Sequence, residues 1–155
     1  MSKRAVFVIT ALSLVVLLAM TGGVALAGHK IQDTGSGTVT LDREDGAPEQ
    51  ATGEARFTLT DETGGYHKLA TTLEIKKLLP KSGNVYQAWL RDKDKDYSDA
   101  LVTFQTDRDG DRTVTVKGSV PHFAEYDEIV VTGEEKHDED PTLSGEVVLR
   151  GNLAH

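Results

Sequence analysis

Along most of the chain apolar and polar residues alternate with a period of two, in short runs broken every ten or so positions by Gly, Asp, Asn or Pro. Successive side chains on a strand point to opposite faces, so this rhythm predicts antiparallel strands with one buried face. Residues 54–60 (EARFTLT) place Ala55, Phe57 and Leu59 together, and residues 67–78 do the same with Leu69, Thr71, Leu73 and Ile75. An amphipathic helix also accommodates Leu69, Leu73 and Lys76, but Thr71, Thr72 and Ile75 favour extended backbone. Residues 85–91 (VYQAWLR) are apolar on both faces, which predicts a central strand. Residues 100–106 and 113–117 flank Asp109-Gly110, a tight-turn dipeptide, and read as a hairpin. Strands at 38–41, 120–123, 128–132 and 146–149 bring the set to about nine. Residues 134–141 are too acidic, and end too firmly in Pro141, to belong to a sheet.

These strands predict an all-β domain over residues 38–155, a two-sheet antiparallel β-sandwich of immunoglobulin-like form. Its expected core is Phe57, Leu73, Ile75, Trp89, Leu90, Val102, Phe104, Val114, Val116, Ile129, Val131 and Leu149. Residues 28–37 are expected to be a flexible lead-in.

The first 27 residues follow a different rule. Lys3 and Arg4 precede an apolar run, residues 5–20, and a small-residue stretch ending in Ala25-Leu26-Ala27. Basic, apolar and small-residue parts in that order are a secretory signal pattern. Extended through Val24 to Ala27, the run is also long enough for a single uncleaved span. Gly22 and Gly23 interrupt it where a cleavage region begins, which favours removal. Either way the domain is expected outside the cytoplasm, secreted or tethered to the cell surface, and a membrane is a partner only if the segment is kept.

Composition narrows the chemistry further. The 155 residues contain no cysteine, which removes disulfides, thiolate metal sites and cysteine nucleophiles. Without residues 1–27, 15 basic side chains face 25 acidic ones, a formal charge of about −10. That field repels phosphate backbones, and no basic cluster offsets it, so nucleic acid is not an expected partner.

A resemblance enters in the second half. Tyr86-Gln87-Ala88-Trp89-Leu90, residues 101–104, the Asp109-Gly110 turn, Ile129-Val130-Val131-Thr132 with Glu134, Pro141-Thr142 with Gly145, and Val147-Val148-Leu149-Arg150-Gly151 follow one another in the order and spacing of a known pattern. In these residues the chain resembles the exported C-terminal domain of bacterial anti-sigma factors of the anti-sigma-K type. The likeness covers roughly the last 70 residues well and residues 38–80 more loosely. It implies a β-sandwich and a non-enzymatic role. Two departures limit it: only Met1 to Arg4 precede the apolar segment, leaving no cytoplasmic sigma-binding part, and the acidic residues 134–140 stand where that family has Glu-Pro and a glycine-rich turn.

Candidate chemistry is sparse. Tyr86 and Trp89 can form a ligand platform, although such residues in a doubly apolar strand are more often core. Asp107, Asp109 and Asp111 carry the alternating carboxylates of a calcium loop, as do Asp92, Asp94 and Asp96, but the glycine and the bidentate glutamate of a helix–loop–helix site are missing. If cleavage follows Ala27, the new terminus Gly28-His29-Lys30 offers an amine, an amide and the His29 imidazole to Cu(II) in a square plane. Neither calcium nor copper is required by these residues, so no cofactor is expected. The sequence therefore predicts an exported, non-catalytic binding or sensor-type domain whose partner is an envelope protein or a small ligand. A metal- or ligand-binding protein using the acidic loops is one alternative, and a hydrolase is another.

Overall fold

A computed structural model of the protein describes residues 35–61, 66–136 and 142–153. The signal or anchor segment, His29 and most of the acidic run after Lys136 lie outside the described residues.

Eight strands carry the alternation: β1 (Gly35–Arg43), β2 (Thr52–Asp61), β3 (Tyr66–Lys76), β4 (Asn84–Asp92), β5 (Tyr97–Phe104), β6 (Arg112–Pro121), β7 (Glu128–Glu135) and β8 (Glu146–Asn152). Helix among the described residues is limited to a 3-10 turn, Phe123–Glu125. Every pairing is antiparallel, and the strand order is β5-β4-β7-β8-β1-β2-β3-β6. One sheet thus curls until its two edges, β5 and β6, come near each other without a ladder between them, almost closing a barrel.

The all-β expectation holds. The expected division into two sheets differs from what is found at one corner, where β1 leaves β2 and pairs with β8 through only Asp42↔Arg150 and Arg43↔Leu149. The register of β2 on β3 sets Ala55 opposite Leu73, Phe57 opposite Thr71 and Leu59 opposite Leu69, all buried on the inner face. Tyr86, Ala88, Leu90, Phe104, Ile129, Val131 and Leu149 fill the other half of the same core. Each fully buried Leu, Ile or Phe contributes roughly 1.5–3 kcal/mol over its exposed state, which is why the period-two pattern decides the inner face.

Four local expectations are corrected. The segments around Asp109-Gly110 are not a hairpin: β5 pairs with β4 and β6 with β3, so residues 105–111 cross from one edge to the other. The loop is held by Asp107, whose Oδ1 accepts the Asp109 and Asp111 N–H groups at 2.9 Å, and it docks on the β3–β4 link through Leu78 N–H to Gly110 O, 2.9 Å. Residues 120–123 are not a separate strand. Val120 and Pro121 end β6, His122 turns the chain with φ 47°, and Phe123 packs its ring 5.6 Å from that of Phe57. Glu134 and Glu135 belong to β7 despite their charge, opposite Val85 and Asn84. Val102, Val114 and Val116 are only half-buried because they sit on the two free edges. β1 starts within the last residues of the expected lead-in, where Gly35 to Gly37 pair with Leu59 to Phe57, and residues 28–34 lie outside the described residues.

Candidate functional site

β7 is buried on both faces. Ile129 and Val131 point into the core, while Glu128, Val130, Thr132 and Glu134 lie on the outer face and are buried as well. Across the β4–β7 ladder that outer face continues through Gln87, Trp89 and Arg91, paired with Thr132, Val130 and Glu128. Trp89 is buried, yet outside the core cluster.

A buried polar chain explains how a tryptophan is covered on the outside of a sheet. Trp89 Nε1–H donates to Thr132 Oγ1 at 2.9 Å, and the Thr132 hydroxyl donates in turn to Glu134. The Glu134 carboxylate also accepts the Gly145 N–H at 3.2 Å and the Ser144 hydroxyl at 3.4 Å. Residues 142–145 are thereby strapped over this face, and Trp89, Thr132 and Glu134 each have a hydrogen-bond partner, as burial demands.

At the other end of the same face sits a charge cluster. The Glu128 carboxylate is completely buried and meets three cations: Arg91 Nη1 at 3.2 Å, Lys93 Nζ at 3.0 Å and Arg150 Nη1 at 3.5 Å. Arg150 Nε faces Glu44 at 3.0 Å, and the Lys93 N–H donates to Asp127 at 2.8 Å. Between this cluster and the strap opens a cleft of about 570 Å³ lined by Arg91, Asp96, Tyr97, Ser98, Thr142 and Leu143.

The rim of the cleft is a folded turn. Asp92 Oδ1 accepts the N–H groups of Asp94 and Lys95 at 3.0 and 3.1 Å. Burial opposes ionisation of Asp92, but these bonds and the Lys95 ammonium, 3.1 Å away, outweigh it and hold the carboxyl below its ordinary range. Asp96 completes the turn with φ 49°, and its carboxylate lies 3.6 Å from Arg91 Nη2. Tyr97 stacks on Tyr126 with centroids 6.4 Å apart, and both hydroxyls donate to Asp99, the Tyr97 one at 2.7 Å. The Asp99 hydrogen bond raises the Tyr97 pKa; burial first, and then Asp99, pushes Tyr126 well above the phenol range.

The chain matches no family model, no curated protein and no solved structure. What the cleft does must therefore be read from its own residues.

Tyr86 and Trp89 are buried on opposite faces of β4 and are not brought together. Tyr86 packs on Phe104 at 5.9 Å and donates its hydroxyl to Leu79 O at 2.6 Å, whereas Trp89 supports the floor beside the cleft. Asp107, Asp109 and Asp111 lie in the crossing loop. Asp107 accepts backbone N–H groups, which hold its carboxyl below the ordinary range, and Asp111 Oδ1 accepts the Lys77 N–H at 3.0 Å. Among the described residues no three His, Asp or Glu side chains are gathered as a metal-ligand set.

Sequence reasoning missed Arg91, Glu128 and Leu143. Arg91 and Glu128 stand at the ends of the expected strands 85–91 and 128–132 and were assigned no role. The one available signal was phase: Glu128 shares the outward parity of Val130 and Thr132 in a run apolar at both parities.

Proposed function

We propose that this chain is an exported, non-catalytic binding domain of the kind its resemblance to the anti-sigma-K-type C-terminal domain implies, and that its ligand or partner seats in the cleft above Arg91. The thin β1–β8 junction supports reading the two halves of the sheet as the layers of that family's sandwich. The observation that carries the functional reading is the floor of the cleft. A guanidinium, a fully buried carboxylate and a strapped tryptophan form a rigid, doubly covered platform, and a cleft opens directly on it. Rigid platforms with a few convergent polar groups suit recognition, because little order has to be created on binding.

A photo-crosslinking residue at Leu143, in the full chain in its native host, tests this. One discrete adduct that disappears when Arg91 is replaced by Gln supports the reading. Saturable turnover of an ester or glycoside panel, abolished by the same replacement, overturns it.

A further inference from the structure

Resting on that reading of the cleft, we propose that its ligand group is a single carboxylate attached to an apolar side chain, and that Asp96 is a built-in competitor for the same place. Arg91 is the anchor. Its Nη1 is committed to Glu128, which, being completely buried, fixes the plane of the guanidinium, while Nη2 turns to the cleft. There it meets the Asp96 carboxylate at 3.6 Å, beyond a good hydrogen bond, on a side chain that is 94% exposed. The molecule thus already shows a carboxylate approaching this nitrogen, loosely held and free to be displaced. A ligand carboxylate can dock on Nη2 at hydrogen-bond distance, as a charge-assisted contact.

Charge and shape define the rest. Three cations, Arg91, Lys93 and Arg150, surround one buried carboxylate, so the platform itself is positive, and exposed Asp96 and Glu44 balance it from outside. A displaced Asp96 leaves room for one negative charge. The other acids around it, Asp92, Asp94, Asp99 and Asp127, and the formal charge of −8 on the chain repel a dianion twice as strongly as a monoanion. Beside Arg91 the cleft offers the Leu143 side chain and the half-exposed ring of Tyr97, held in place by Tyr126 and Asp99. That wall suits an aliphatic or aromatic group next to the carboxylate. A small free acid and the C-terminus of a peptide ending in an apolar residue share this chemistry.

The test is a titration of the full chain, followed through backbone amide NMR shifts at Tyr97, Ser98 and Leu143. The probes are N-acetyl-leucine, a pentapeptide ending in Leu, the C-terminal amide of each, and inorganic phosphate. The expected result is binding of the acids, with their amides and phosphate at least about tenfold weaker, the range of one charge-assisted contact. The pentapeptide binding better than N-acetyl-leucine identifies a peptide terminus, and the reverse a small acid. Asp96→Asn should tighten the acids about threefold or more by removing the competitor, and Arg91→Gln should abolish the preference for acid over amide. Because Arg91→Gln also strips a partner from Glu128 and threatens folding, Asp96→Asn stands as the independent variant. Weaker acid binding in Asp96→Asn would overturn the proposal. Equal binding of acid and amide would also overturn it while leaving the cleft a binding site. Silence from every probe, with an adduct still formed at Leu143, would reject the carboxylate and keep the binding reading.

Discussion

Gly110 and Gly83 share a backbone conformation and differ in surroundings, which makes them a matched pair for testing how the crossing loop holds the barrel. Their φ angles are +83° and +79°. An added Cβ at Gly83 meets open space, whereas at Gly110 it would lie 2.8 Å from both Leu78 N and Lys77 C. For Gly83→Ala only the left-handed conformation matters, about 1–2 kcal/mol. Gly110→Ala carries the same penalty and must also push the loop about 1 Å from the β3–β4 link to reach normal contact distance. That displacement breaks Leu78 N–H to Gly110 O, 2.9 Å, and strains Lys77 N–H to Asp111 Oδ1, 3.0 Å. Two weakened hydrogen bonds add about 1–3 kcal/mol, for a total of about 2–5 kcal/mol. Urea unfolding followed by the fluorescence of Trp89, the single tryptophan and a buried one, measures both variants against the parent. Gly110→Asn supplies the control, since Asn tolerates positive φ but still carries a Cβ; it should recover much of the conformational share and keep the about 1–3 kcal/mol that comes from displacing the loop. If Gly110→Ala and Gly83→Ala agree within about 0.5 kcal/mol, or Asn restores stability at 110, docking of the crossing loop does not hold the fold in the way argued.

Three further outcomes are expected. Glu128→Gln should lose about 2–3 kcal/mol in the same unfolding assay, below the usual range for breaking a buried pair because Arg91, Lys93 and Arg150 are partly exposed and can regain water; a loss under about 0.5 kcal/mol would show the cluster to be incidental. Thr132→Val removes the acceptor of Trp89 Nε1, leaving that buried N–H unpaired, and takes one donor from Glu134, which keeps Gly145 and Ser144; it should cost about 1–3 kcal/mol and alter the near-ultraviolet circular dichroism of Trp89, and an unchanged spectrum and stability would refute the buried chain. Asp92 and Asp107 are held below their ordinary value of 3.8 in the folded state, so the unfolded chain takes up protons first as pH falls. Their contribution is full above that value and is lost as pH drops through the lower folded values, so unfolding midpoints should begin to fall below about pH 4, and less steeply in Asp92→Asn. An acid profile identical in that variant would remove Asp92 from the account.

How much of this was legible beforehand follows from the range of each interaction. Alternation in β2 and β3 named Ala55, Phe57, Leu59, Leu69, Leu73 and Ile75 as inward residues, because the period of a strand is a local property and burial of one face rewards it at every second residue. The same local logic misread Asp109-Gly110. A tight turn between two strands reads as a hairpin until pairing to β3 and β4 draws those strands to opposite edges of the sheet.

The cleft lay beyond reach for a similar reason. Trp89 was expected in the core, and only the tertiary fold sets it on the outer face, bonded to Thr132 in a polar chain that Ser144 and Gly145 join at Glu134. Glu128 carried no signal of its partners until β4 and β8 set Arg91 and Arg150 beside it, from positions 37 residues before and 22 after it in the chain. By itself the amino-acid sequence determined strand content and the side each residue of β2 and β3 faces, since both depend on neighbours two positions apart. Which edges stay open, which face is buried twice and which cation faces the cleft were decided only when distant segments met, because those contacts have no local period.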